Sequence, residues 1–126
     1  MTPYEQKVTR IKELYFANEG QIEVVIKTRR FIDDNFANDL RLEFLAQNCF
    51  LSKYHLQRLF KRYYGLSPKQ YLIDKRIEKS KEKLRKGLSV RETCLAVGFA
   101  SLGSFSQLFK TKTGRSPSEF RKEQVS

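Results

Sequence analysis

The sequence predicts an all-α fold: two helix-turn-helix subdomains joined by a long linker helix. Three observations carry this. The segment 50-FLSKYHLQRLFKRYYGLSPKQYL-72 returns as 99-FASLGSFSQLFKTKTGRSPSEFR-121 without a gap, identical at Phe50/Phe99, Ser52/Ser101, Leu59/Leu108, Phe60/Phe109, Lys61/Lys110, Gly65/Gly114, Ser67/Ser116 and Pro68/Pro117. Apolar residues in both copies fall three and four apart, the spacing that gathers side chains on one face of an α-helix. Serine, glycine and proline stand at the positions where helices begin and end. No strand-like alternation interrupts the pattern.

From the N-terminus, Val8, Ile11, Leu14 and Tyr15 predict a helix over residues 3–18, and Ile22, Val25, Ile26, Ile32 and Phe36 predict another over 22–36. Leu42, Leu45 and Ala46 mark a short helix ending near Asn48. After Cys49-Phe50-Leu51, Ser52 is placed to cap a longer helix whose Leu56, Leu59, Phe60 and Tyr63 form one buried stripe. Gly65 suits the left-handed residue that closes it. Ser67-Pro68 restarts a helix at once, because proline at the first helical position lacks only a hydrogen that would go unpaired. That helix runs to Lys86 and carries Tyr71, Leu72, Ile73, Ile77 and Leu84, with Gly87 as its stop.

The second copy repeats the plan. Ser89-x-x-Glu92 is a capping box opening a helix through Thr93, Cys94 and Val97. The turn Gly98-Phe99-Ala100 contains the glycine expected there, which the first copy lacks. Ser101 caps a helix with Phe105, Leu108 and Phe109 buried; Gly114 closes it, and Ser116-x-x-Glu119 opens the last helix. The organisation expected is therefore a helical extension over 1–20, a first subdomain over 21–67, a linker helix over 68–87 and a second subdomain over 88–126.

Composition excludes several classes. No run approaches the roughly 18 apolar residues of a membrane span, and no apolar leader stands at the N-terminus, so a soluble cytoplasmic protein without membrane contact is expected. Cys49 and Cys94 lie in apolar helical pattern without metal-ligand spacing, as buried free thiols would. His55, the only histidine, cannot build a histidine cluster and reads as a helix-surface residue. No phosphate-binding glycine loop, nucleophile elbow or Cys/His pair is present. Neither catalysis, nor a metal, nor a cofactor is expected.

Charge points instead to a polyanion. The net charge of +11 is unevenly placed: residues 1–51 carry −1, residues 52–86 carry +9 and residues 87–126 carry +3. Positive charge begins where the first repeat begins. Opposite its buried stripe, that helix presents Tyr54, Gln57, Arg58 and Lys61, groups suited to bases and phosphates: arginine to guanine, glutamine to adenine, lysine to phosphate. The matching face of the second helix carries Gly103, Ser106, Gln107 and Lys110, with Leu102 at its start, able to meet a thymine methyl. The hydroxyls of Ser52, Ser101 and Ser104 and the cations Lys53, Lys61, Arg62, Lys69, Arg76, Lys110 and Lys112 are the candidates for phosphate contacts. The first helix is expected to dominate affinity.

With 51-LSKYHLQRLFK-61 and 97-VGFASLGSFSQLFK-110, each followed by G-x-S-P, the sequence resembles the DNA-binding domain of the AraC/XylS family of bacterial transcription regulators over residues 22–124. The resemblance implies seven helices in two homeodomain-like three-helix units, with recognition helices from Ser52 and Ser101 entering successive major grooves. It places Tyr54, Gln57 and Arg58, and Leu102, Gly103, Ser106 and Gln107, where the family reads bases. Thr93 and Cys94 depart from the usual Ile and Ala, Gln107 replaces the commoner arginine, and Gly103 is small where a polar side chain is frequent. The expectation is a sequence-specific, double-stranded-DNA-binding transcription regulator, stand-alone because only about 20 residues precede the match. The alternatives are an excised domain of a larger effector-responsive regulator, or a non-specific DNA-binding or protein-interaction module. The partners expected are duplex DNA and RNA polymerase, with the chain a monomer on DNA or a dimer through residues 1–20.

Overall fold

The computed structural model describes residues 2–125, apart from the side chains of residues 11–18 and 125. The described residues form seven helices and no strand: α1 (Pro3–Asn35), α2 (Leu42–Asn48), α3 (Lys53–Tyr64), α4 (Pro68–Arg85), α5 (Val90–Ala96), α6 (Leu102–Thr113) and α7 (Pro117–Val125). The all-α, two-motif architecture expected from the repeat is the one observed.

Where two N-terminal helices are expected, one is found. α1 opens with a capping box: the Glu5 N–H donates to Thr2 Oγ1 at 3.1 Å and the Thr2 N–H to Glu5 Oε2 at 3.3 Å. It then runs through Gly20 without a break. A helical glycine costs about 1 kcal/mol, which a long helix absorbs when no proline follows. Of the expected stripe at the start of α1, Val8 is half-buried, while Ile11, Leu14 and Tyr15 lie outside the described side chains. Further along, Val25 and Ile32 are buried as expected, but Ile22 is exposed.

Packing divides the chain into two compact units, Met1–Phe31 with Leu42–Pro68, and Ile32–Arg41 with Lys69–Ser126. In the first, Val25, Leu45, Ala46, Leu56, Leu59 and Phe60 are buried. Phe31 meets Phe44 at 6.0 Å between ring centroids. The stripe on α3 ends differently from the expectation: Tyr63 is 40% exposed. Its neighbour Tyr64 packs on Phe60 instead, at 4.8 Å, under the Arg29 guanidinium of α1 at 5.9 Å. α1 thus covers Tyr64 and leaves Tyr63 at the surface.

The second unit is built on an aromatic chain. Phe99, Phe105, Phe109 and Phe120 follow one another at 5.3, 5.8 and 5.5 Å, and Ile77, Leu84, Cys94 and Val97 fill the space around them. Each such pair adds about 0.5–1.5 kcal/mol beyond its buried area. Buried Thr93 satisfies its hydroxyl on the Ser89 carbonyl at 2.8 Å. Cys94 is buried and Cys49 half-buried, both as free thiols; burial pushes the Cys94 thiol pKa up. The Ser116/Glu119 capping box closes in both directions, at 3.2 and 3.4 Å.

The two turns are not the copies that the alignment suggests. Phe50 takes the left-handed backbone at φ 56°, with its ring in solvent; in the second motif Gly98 takes it at φ 98°. The closing hydrogen bond runs from Leu51 N–H to the Ala46 carbonyl in one motif and from Phe99 N–H to the Cys94 carbonyl in the other. The structural counterpart of buried Phe99 is therefore Leu51. The Phe50/Phe99 identity is a match of letters only, and the second turn is one residue longer.

Candidate nucleic-acid interface

α3 is placed by strong punctuation. Ser52 accepts from the His55 N–H at 3.1 Å, and Gly65 closes the helix at φ 79° with its N–H on the Lys61 carbonyl at 2.8 Å. With Leu56, Leu59 and Phe60 turned into the core, Tyr54, Gln57, Arg58 and Lys61 fall at i, i+3, i+4 and i+7 on the exposed side. Tyr54 is 65% exposed. Arg62 extends the cationic surface on the same helix.

At the start of α3, Lys53 does not stand alone. Its ammonium lies 3.2 Å from Glu43 Oε1 on α2 and 5.2 Å from the centroid of the Tyr54 ring. The hydrogen bond that the Lys53 ammonium donates to Glu43 leads the effects that raise the lysine's pKa, followed by the charge interaction with Tyr54. Sequence reasoning passes over Glu43, because nothing in a ten-residue separation signals that α2 and α3 bring these groups together.

α6 repeats the scaffold. Ser101 accepts from the Ser104 N–H at 3.3 Å; Gly114 closes at φ 82°, again with a 2.8 Å bond to the lysine four residues back. Phe105 and Phe109 are buried. Leu102, Gly103, Ser104, Gln107 and Lys110 are exposed, and Ser106 is half-buried. Lys112 is ion-paired with Asp74 of α4 at 2.9 Å.

Arg76 stands apart from the other cations expected at phosphates. Its Nε donates to the Phe36 carbonyl at 2.6 Å, its Nη2 to the Asn38 carbonyl at 2.8 Å, and its guanidinium lies 5.4 Å from the Phe99 ring centroid. Burial lowers its pKa, against a raising effect of Asp39. These contacts tie the segment after α1 to the second unit's core, so the side chain is already committed inside the fold. Lys69, on the first turn of α4, is exposed. Among the described residues no group of three or more His, Cys, Asp or Glu is placed to hold a metal ion, and no helix is long and apolar enough to cross a membrane.

Residues 45–123 match the family model of a helix-turn-helix domain. Over 92 residues the chain is 37% identical to AdaA of Bacillus subtilis, named as a bifunctional transcriptional activator and DNA repair enzyme; the match covers 72% of this chain and 44% of that protein. Over 102 residues it is 34% identical to the HTH-type transcriptional activator AarP of Providencia stuartii, covering 80% of this chain and 76% of that protein. Among solved structures, the C-terminal domain of AraT, a response regulator from Geobacillus stearothermophilus, matches with a TM-score of 0.76 at 32% identity, over 79% of this chain and 84% of that one. The chain spans less than half the length of several curated relatives that it matches, AdaA among them. Two capped helices with polar exposed faces on the expected scaffold, a family match over most of the chain and relatives named as transcription regulators agree: the chain belongs to the AraC/XylS family of helix-turn-helix transcription regulators.

Proposed function

We propose that this chain regulates transcription by binding duplex DNA sequence-specifically, with α3 and α6 as its two reading helices. The observation that carries this is the exposed face of α3, where Tyr54, Gln57, Arg58 and Lys61 lie in register on a helix capped at both ends. Helix-turn-helix proteins lay such a helix in the major groove, with its N-terminal residues at the base edges. In this reading Tyr54, Gln57 and Arg58 read bases in one half-site, and Leu102, Gly103, Ser106 and Gln107 read the other. Ser52, Lys61, Arg62, Lys69, Ser101, Ser104 and Lys110 hold phosphates. Lys112 joins them by exchanging Asp74 for phosphate, a small cost for a half-exposed pair. The protein acts in the bacterial cytoplasm, on the nucleoid, as a monomer on its site with RNA polymerase as a further partner. Catalysis has no part in this reading; the repair activity in the name of AdaA belongs to that protein.

Selection of bound sequences from random duplex DNA tests the proposal. Two unequal half-sites are expected, the sharper one read by α3. Near-equal affinity for every duplex at physiological salt would overturn it in favour of non-specific binding. On the selected site, Arg58→Ala is expected to relax discrimination at one base pair, whereas Lys61→Ala weakens binding on all sequences and lowers the salt slope by about one.

A further inference from the structure

We propose that Glu43 is a positioning residue for the first reading helix: it holds the Lys53 ammonium over the Tyr54 ring, fixing the orientation of Tyr54 and withholding Lys53 from phosphates. The inference rests on the reading of α3 as a DNA-binding helix. Its basis is geometric. Glu43 lies on α2 and Lys53 on the first turn of α3, yet their charged atoms meet at 3.2 Å while the same ammonium lies 5.2 Å from the Tyr54 ring centroid. Tyr54 is mostly exposed, so this contact is what restrains a ring that the core does not pack.

An exposed lysine–glutamate pair adds little to folding, since water screens it and two long side chains lose freedom in forming it. Its effect falls on DNA. A carboxylate beside a cationic reading face repels phosphates and occupies a lysine that would otherwise release a counterion, which lowers affinity for every duplex alike. A ring held in one rotamer before contact meets its own base without first being ordered. The first effect leaves the ratio of specific to non-specific binding unchanged and lowers both; the second widens it. The second unit has Leu102 and Gly103 where the first has Lys53 and Tyr54, so it cannot form this arrangement.

The test uses the whole chain with Glu43→Gln, titrated against the selected site and a random duplex over a range of salt. Affinity for random duplex is expected to rise several-fold, its salt slope to steepen by about one as Lys53 gains a phosphate, and discrimination at the base pair read by Tyr54 to fall. Adding Lys53→Gln should return the slope to the parent value without restoring discrimination. Helical content by circular dichroism should remain that of the parent, and Lys53→Gln alone provides a second route to the loss of discrimination. An unchanged slope and unchanged discrimination in Glu43→Gln would overturn the inference while leaving Arg58→Ala to judge the reading of α3. A parent protein that favours no sequence would overturn both.

Discussion

In the first unit the residue that turns the chain from α2 toward α3 is Phe50, left-handed at φ 56° and 97% exposed; in the second it is Gly98, at φ 98°, next to a Phe99 buried in the core. A bulky side chain rarely adopts that backbone, because its Cβ crowds the following carbonyl. The second turn has no such latitude. A Cβ on Gly98 would lie 2.6 Å from the Ala37 carbonyl oxygen and within 2.9 Å of two further backbone atoms. The surfaces differ in the same sense: Tyr54, Gln57 and Arg58 on α3 against Gly103, Ser106 and Gln107 on α6. A shared scaffold has thus been filled in two ways. The second unit packs its turn tightly against neighbouring backbone and presents small side chains, whereas the first leaves its turn loose and presents large polar and aromatic ones.

The difference between the two turns should show most strongly in Gly98→Ala. A clash with backbone rather than with a flexible side-chain end, added to a positive φ, should cost about 2–4 kcal/mol of stability, read by equilibrium denaturation. A loss below about 1 kcal/mol would mean that the segment at Ala37 gives way easily, and the two turns would then be alike in tolerance. On DNA, Arg58→Ala should cost about 1–3 kcal/mol on the selected site. Gln107→Ala should cost about 1 kcal/mol or less, at the low end for one base-reading side chain. Equal losses in parallel titrations would remove the expected dominance of α3. A third pair serves as the control. Gly65 and Gly114 have matching φ values of 79° and 82°, and a Cβ at either meets open space. Alanine at each should cost about 1 kcal/mol, and by the same amount in both, because here the two backbones do coincide.

Those matched glycines also mark what the sequence makes legible. Caps and helix closures are local: Ser52, Ser101, Gly65, Gly114 and the Ser116/Glu119 box each act within a few residues, so spacing alone locates them. The same holds for the exposed face of α3, which follows from helical period once Leu56, Leu59 and Phe60 are taken as buried. What escapes is decided by partners far along the chain. Arg76 reads as one more cation in a basic stretch until the backbone carbonyls of Phe36 and Asn38 close on it. Tyr63 fits the apolar stripe, but α1 brings Arg29 against Tyr64 instead. Glu43 gains meaning only from Lys53, ten positions away on another helix. The slip of one residue between the two turns is hidden for a different reason: the chance identity of Phe50 and Phe99 supplies a match that the backbone does not honour.

That slip leads to the smallest effect and the one of opposite sign. Phe50→Gly should stabilise the protein by about 1 kcal/mol or somewhat less. Removing the Cβ relieves a left-handed conformation that costs about 1–2 kcal/mol for an ordinary residue, while the greater freedom of glycine in the unfolded chain returns about 0.5–1 kcal/mol to the unfolded state. Lost packing adds almost nothing against this, because the ring is in solvent. In the second unit the corresponding relief is already in place at Gly98. Denaturation midpoints of the parent and Phe50→Gly proteins check the sign, with the slope of each transition confirming that the unfolded states are comparable. A fall in stability would mean that the Phe50 ring makes a contact worth more than the strain, and that the first turn is as closely fitted to its surroundings as the second.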